Sequence, residues 1–303
     1  MEIEVTQWNE QKDVLSSIRR RVFIEEQKVP EELEWDEDDA GAVHFIAHDG
    51  QQALGCARLL PDGHLGRMAV IHKFRGQGVG VALLQAAENH HRNEFDGKVL
   101  IANAQTHAWG FYRSQGFVPQ QGFYIDAGIP HIEMQKTLGD SSVSSDLYIP
   151  GADQQYHQLD APASAEGLIQ IGSYYGPQAI RLSITDLNLP VWSDSSTLEC
   201  LTRYLREARQ RSIKVLINSE YGGLGEHPLI KLQQRLTSRI ELKIYSGVEE
   251  SMAIMSPHAW VRISCDQVRA RLSDRGAVMR LQDQFEEWWR LGHSSREARR
   301  LHI

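Results

Sequence analysis

Cysteine is scarce in this 303-residue chain. Cys56, Cys200 and Cys265 are odd in number, far apart and without metal-ligand spacing, so neither a disulfide scaffold nor a metal site is expected. A reducing, cytoplasmic setting follows. No apolar run approaches the roughly 18 residues that a spanning helix needs. The first twenty residues carry Glu2, Glu4, Glu10, Lys12 and Asp13 where a signal peptide would carry an apolar core. No membrane partner is expected. A basic excess is also missing, since the formal net charge is −8. Residues 1–139 hold 13 Lys and Arg against 20 Asp and Glu, and residues 140–303 hold 19 against 20. Nucleic acid is therefore not an expected partner. The acidic first half biases the chain weakly toward cationic, amine-bearing substrates through long-range steering.

The length suggests two domains at about 150 residues each. Gly139 to Ser145 has linker composition, which divides the chain into residues 1–138, a linker at 139–145 and a second unit at 146–303. In the first unit, Ile3 and Val5 alternate with acids as a short strand, and Leu15, Ile18 and Val22 mark a helix face that ends by Pro30. Val43–Ala47 and Leu54–Leu60 read as a hairpin around Asp49-Gly50. A fourth strand ends at Val70, a fifth runs from Lys98 to Asn103, and Gly122 to Lys136 supplies closing strands around Gly128. In the second unit, strands at 180–184, 213–217 and 240–245 alternate with helices at 197–211 and 227–236. Hairpin-like runs at 252–255 and 260–263 precede a terminal helix at 278–291, whose Phe285, Trp288 and Trp289 read as core.

The most informative segment is Arg75-Gly76-Gln77-Gly78-Val79-Gly80, between the fourth strand and an amphipathic helix whose apolar residues are Val81, Leu83, Leu84 and Ala87. Three glycines strip side chains from a loop that opens into a helix, so its backbone N–H groups can converge on an anion at the positive end of the helix dipole. That is a diphosphate seat. A P-loop is excluded because Val81-Ala82 stand where Lys and Ser or Thr would follow the last Gly. A dinucleotide fold is disfavoured because the loop follows the fourth strand, with no well-spaced acidic residue after it.

The form Arg-x-x-Gly-x-Gly after Met68-Ala69-Val70 resembles motif A of the GNAT acyl-CoA-dependent N-acetyltransferases. Ala108-Trp109-Gly110-Phe111-Tyr112 with Gly116-Phe117 resembles that family's Ala-x-x-x-Tyr-x-x-x-Gly-Phe helix. Arg20 to Pro30 and Ala127 to His131 are similar to the ElaA/YjcF-like branch. The resemblance covers residues 1–138. It implies an α/β (α+β) fold with a mixed, mostly antiparallel sheet and a V-shaped split between strands four and five, here followed by a C-terminal α/β domain. It also implies acetyl-CoA as co-substrate, with no metal, held by Met68, Ala69, Val70, Arg75, Gly76, Gln77, Gly78, Val79 and Gly80. The amide of Val70 would polarise the thioester carbonyl. Gln105, where many members carry Asn, is a further candidate to contact the coenzyme.

The implied reaction is direct attack of a primary amine, on a small molecule or a peptide, within a ternary complex. In the family the tyrosine at the position of Tyr112 often protonates the departing thiolate, and a phenol near pKa 10 suits a thiolate near 8.5. The other readings of Tyr112 are a core aromatic beside Phe111 and Phe117 and a coenzyme-positioning hydroxyl. Glu26, Glu25 and Glu34 are candidates to accept the amine's proton, with a solvated acidic face as the plainer reading of each. His131 could line the acceptor pocket. Arg19, Arg20 and Arg21 read as a solvated basic stretch. A homodimer is left open. The alternative function is an acyl-CoA sensor with a GNAT fold and little turnover. The second unit weakly resembles half of a phospholipase D-like domain, but its His227 has Lys231 four residues on instead of two, so that chemistry is absent.

Overall fold

The structure is a computed structural model that describes residues 1–139, 144–219 and 224–295. Most of the expected linker, residues 140–143, lies outside the described residues. The first half runs β1 (Glu2–Gln7), α1 (Trp8–Arg19), a π-helical continuation over Arg20–Glu26, α2 (Glu31–Glu34), β2 (Val43–His48), β3 (Ala53–Leu59), β4 (His64–Val70) and α3 (Val79–Glu94). It closes with β5 (Val99–Gln105), α4 (Trp109–Ser114), β6 (Val118–Pro119), β7 (Tyr124–Asp126) and β8 (Ile129–Thr137). The sheet order is β1-β2-β3-β4-β5-β8-β6, with β7 paired to β8.

Alternation along the central strands covers both sheet faces. Ile46, Cys56 and Ala69 pack with Leu15, Ile18 and Val22 of the first helix. Phe45, Ala57 and Leu65 point the other way, into the core that holds Val79, Leu83, Leu84 and Ala87 of α3.

Every pairing is antiparallel except β4 with β5, which lie parallel and meet only at His64↔Ile101 and Leu65↔Ala102. Beyond Leu65 the two strands diverge. On its other edge β4 carries a bulge, because the register passes from Cys56↔Ala69 to Arg58↔Gly66, and Arg67 there adopts φ +46°. A bulge bends its strand locally, and here it coincides with the divergence.

The second half runs β9 (Tyr156–Asp160), α5 (Ala163–Tyr174), β10 (Ala179–Ile184), α6 (Ser195–Glu207), β11 (Ile213–Ile217), α7 (Pro228–Arg235) and β12 (Ile240–Ile244). It ends with β13 (Ser251–Ser256), β14 (Ala259–Ile263), β15 (Gln267–Arg271) and α8 (Arg275–Leu291). The sheet order is β12-β11-β10-β13-β14-β15-β9, parallel through β10, β11 and β12 and antiparallel elsewhere. Asp194 caps α6 by accepting from the Thr197 amide at 2.6 Å, and Asp274 caps α8 by accepting from Ala277 at 2.9 Å. Val278, Phe285 and Trp289 of α8 pack against Leu216, Met252 and Ile254, so the tryptophan end of this helix is core.

The sequence pattern misses β9, α5 and β15. Helix α5 is buried from Ala163 through Ser173, so it has no polar face for periodicity to reveal. It lies between the two sheets, against β8 and the 3-10 turn Thr106–Ala108 on one side and β13, β14 and α6 on the other. Gln170 satisfies its buried amide across this junction: its Oε1 accepts from Thr106 Oγ1 at 2.6 Å, and its Nε2 donates to Thr197 Oγ1 at 3.0 Å. Apolar side chains of both halves form one cluster that reaches from Val43 to Leu272.

Gly167 lets α5 approach the first half, because a Cβ there would lie 2.5 Å from Cδ1 of Phe123. Gly167→Val should therefore overpack the junction and lower stability by about 1–3 kcal/mol. Urea unfolding followed by tryptophan fluorescence measures this, and a neutral or stabilising change would show that the junction is loosely packed.

Candidate active site

The glycine loop begins just beyond the end of β4. Val70 leads through Ile71 and a 3-10 turn, His72–Phe74, into Arg75 and the glycines. Gly76 and Gly78 hold φ +75° and +83°, a region that side chains disfavour. Gly80 is needed for a different reason: a Cβ there would meet Cε2 of Phe111 at 3.3 Å, so it lets α3 pack against α4. Arg75 to Gly78 are exposed, Val79 is buried as the first residue of α3, and no side chain caps this helix. Its first amides are left for solvent or an anion. Gln77 closes the loop on itself, donating from Nε2 to the Lys73 carbonyl at 3.0 Å.

Arg75 ties the loop to both neighbours. Its Nε donates to the Val70 carbonyl at 3.0 Å, and its Nη1 and Nη2 donate to the two oxygens of Glu26 at 2.6 and 2.9 Å. Glu26, the candidate acceptor of the amine's proton, is the partner in this bidentate pair. Its carboxylate is engaged by Arg75, and neither Glu26 nor Glu25 lines the cavity between the strands. The exposed Glu25 contributes its backbone carbonyl to Lys28 Nζ at 2.6 Å.

That cavity, of 680 Å³, opens where β4 and β5 separate. Met68 lines it from β4, Asn103 and Gln105 from β5, and Tyr112 and His131 from α4 and β8. Ala69 is buried on the other face, beside Ile18. Gln105 donates to Gln27 Oε1 at 3.0 Å, which links β5 to the end of the first helix across the split.

Tyr112 is buried and rests edge-on against Phe111 and Phe117. It is thus a core aromatic and a cavity residue at once. Burial pushes its phenol up to about 12. His131 is also buried, and burial holds its imidazole below the ordinary value despite the offsetting hydrogen bond to Ile129. Its Nδ1 lies 2.8 Å from the Ile129 carbonyl. A carbonyl only accepts, so Nδ1 carries the proton and Nε2 keeps the lone pair in the neutral ring.

Glu34 and Arg19 depart together from the solvated surface expected of them. Arg19 is 1% exposed and sits between two buried carboxylates, donating from Nε to Glu34 Oε1 at 2.6 Å and from Nη1 to Asp39 Oδ1 at 2.7 Å. Trp8 and Trp35 cover its guanidinium at 5.3 and 5.0 Å. Arg58 joins Asp39 at 2.9 Å and also Asp36, which Arg67 holds at 2.7 Å. Glu34 thus lines the cavity as part of a buried ion network, not as a solvated acid, and burial raises its pKa although Arg19 and Arg67 pull it down. Arg20 and Arg21 are exposed as expected, and Arg20 pairs with Glu31 at the surface. Arg58 is the missed signal, a lone charge inside the apolar strand 54–60 that only a buried partner explains.

In the second half, His227 caps α7, its Nδ1 accepting from the Leu229 amide at 3.2 Å, while Lys231 pairs with Glu226. Among the described residues no group of three His, Cys, Asp or Glu could hold a metal ion, and no helix is long and apolar enough to cross a membrane.

Comparison with known proteins agrees with this geometry. Residues 7–138 match the acetyltransferase (GNAT) domain family, and residues 176–301 match DUF7931, a domain of unknown function. The latter gives no support to the phospholipase D-like resemblance. An uncharacterized N-acetyltransferase, YjcF of Bacillus subtilis, is 38% identical over 125 residues, which span 39% of this chain and 87% of that protein. Protein ElaA of Escherichia coli is 29% identical over 131 residues, 41% of this chain and 86% of ElaA. The crystal structure of E. coli ElaA aligns with 45% of this chain and 99% of that one, at 28% identity and a TM-score of 0.42. The chain belongs to the GNAT acetyltransferase family. At family level this makes it an acyl-CoA-dependent acyltransferase.

Replacing Arg19 by Met would strand Glu34 and Asp39 with reduced compensation. The expected loss is about 3–5 kcal/mol of stability, read from urea denaturation midpoints.

Proposed function

We propose that the protein transfers an acetyl group from acetyl-CoA to a primary amine by direct attack in a ternary complex. The observation that carries this reading is the cavity in the β4/β5 split, with Tyr112 and His131 on its walls and the uncapped loop 75–80 at the end of β4. The loop amides hold the diphosphate, the pantetheine arm passes into the split, and the Val70 amide faces the thioester carbonyl. Proximity and orientation supply most of the acceleration.

His131 takes the proton that the amine sheds. Its neutral ring offers Nε2, and its depressed pKa keeps that nitrogen unprotonated at neutral pH. For Tyr112, burial pushes the phenol up to about 12 and so opposes full release of its proton. The hydroxyl therefore serves as a hydrogen-bond donor to the departing sulfur rather than as a full proton source. Asp62 and Asp126 on the cavity lining favour a cationic acceptor, whether a small molecule or a peptide amine. Residues 146–303 form an accessory unit without phosphodiesterase chemistry. A cytoplasmic setting suits the coenzyme and the three free cysteines.

Thiol release from acetyl-CoA across a panel of amines tests the activity, and its absence with every amine class in a chain that binds the coenzyme would favour a sensor instead. Tyr112→Phe should lower kcat about 10²-fold with little change in coenzyme affinity. Gly78→Asp keeps a residue type that tolerates positive φ but aims a carboxylate at the diphosphate, so calorimetry should show coenzyme binding weakened by well over tenfold.

The pH profile has a defined sign. Because the folded His131 pKa is lowered, kcat/KM with a weakly basic aromatic amine should hold below pH 6.5 and fall only as His131 is protonated. His131→Asn should lower activity and remove that acid limb, whereas an unchanged limb would assign it to another group.

A further inference from the structure

A second cleft, of 1000 Å³, opens between the two halves on the side of the diphosphate loop. The first half contributes His72, Arg75 and His107 to it, and the second half faces them with Arg203 and Arg206 of α6 and Arg235 of α7. Arg203 and Arg206 are three residues apart and share one face of their helix. All three second-half arginines are exposed, and among the described residues none has an ion-pair partner. Arg203 donates from Nη2 to Cys200 Sγ at 3.2 Å, and no carboxylate neutralises any of the three charges.

Two of the carboxylates that line the cleft are already committed, Glu26 to Arg75 and Glu207 to Arg211, which leaves Glu199 as the opposing charge. The local field is felt by a neighbour: burial, together with the charges of Arg203 and Arg75, pushes the His107 imidazole down to about 4. A cleft of this size, lined by cations that no carboxylate neutralises and adjoining a diphosphate seat, is suited to a phosphorylated nucleotide.

We propose that the C-terminal half completes the coenzyme site, with Arg203, Arg206 and Arg235 binding the 3′-phosphorylated nucleotide end of acyl-CoA. The inference rests on the proposed acyl-CoA function of the loop. In coenzyme A the 3′-phosphate is separated from the diphosphate by a single ribose. A diphosphate seated on the Arg75–Gly80 loop thus carries a dianion within reach of the cleft that Arg75 itself lines. The second half then acts as part of the binding site and not only as a packing partner. Coenzyme affinity becomes sensitive to how the halves are joined.

Calorimetry on the full chain with coenzyme A and with 3′-dephospho-coenzyme A tests this. The wild type should prefer coenzyme A by tenfold or more. A triple Arg203→Gln, Arg206→Gln, Arg235→Gln variant should bind both with the affinity that the wild type shows for the dephospho form. Because the three side chains are exposed, its thermal midpoint should match the wild type. Glu199→Gln should strengthen coenzyme A binding and leave the dephospho form unchanged. A wild type without preference, or a triple variant that keeps it, overturns the proposal while leaving the acyl-CoA reading intact. A wild type that binds neither molecule overturns that reading and the proposal with it.

Discussion

The rest of the structure is arranged around the failure of β4 and β5 to pair beyond two residues. A parallel pair normally satisfies its backbone groups along its whole length, and each buried group left unpaired costs free energy comparable to a lost hydrogen bond. Here the strands meet at His64 and Leu65 and then part, so the split persists only because it is held from both sides. On the β4 side the bulge at Arg67 bends the strand, and the Arg19–Glu34–Asp39–Arg58 network anchors the first helix and the acidic segment beside it. Across the opening, Gln105 reaches Gln27, and Arg75 joins the end of β4 to Glu26. These contacts all involve the segment from Arg19 to Asp39 that leads from the first helix to β2. Its role is to keep the sheet open.

The two halves are joined by a helix that could not exist in water alone. With Ala163 to Ser173 buried throughout, α5 has no solvated face, and its stability comes from the two surfaces that enclose it. Gly167 and Gly172 let Phe123 and Met255 approach its backbone from opposite halves. Gln170 fixes the register of that contact through partners on both sides. A wall contributed by α6 and α7 is in this way held opposite Arg75 of the glycine loop.

Charge is distributed along this path in a way that the totals conceal. The cavity in the split carries Asp62 and Asp126, which suit a cationic amine, whereas the cleft between the halves carries arginines that suit phosphate.

Much was legible in the residues alone. The strand and helix order of the first half, the hairpin at Asp49-Gly50, the glycine loop, and the α/β alternation from Ile180 to Ile244 all follow from local periodicity and backbone permissiveness, which act over a few residues. Family membership followed from the same loop together with the segment around Tyr112. Side-chain partnership across long separations was not legible. Nothing near Arg19 in the chain shows that it will meet Glu34 and Asp39 in a buried site, or that Glu26 will be taken by Arg75 49 residues on. Helix α5 escaped because a surface buried on all sides has no hydrophobic period. No sequence pattern sets Arg203, Arg206 and Arg235 apart, and only folding brings them to the cleft that Arg75 lines. Local structure is determined by neighbouring residues, whereas a site that depends on which charges are left without a partner is decided only when the whole chain has packed.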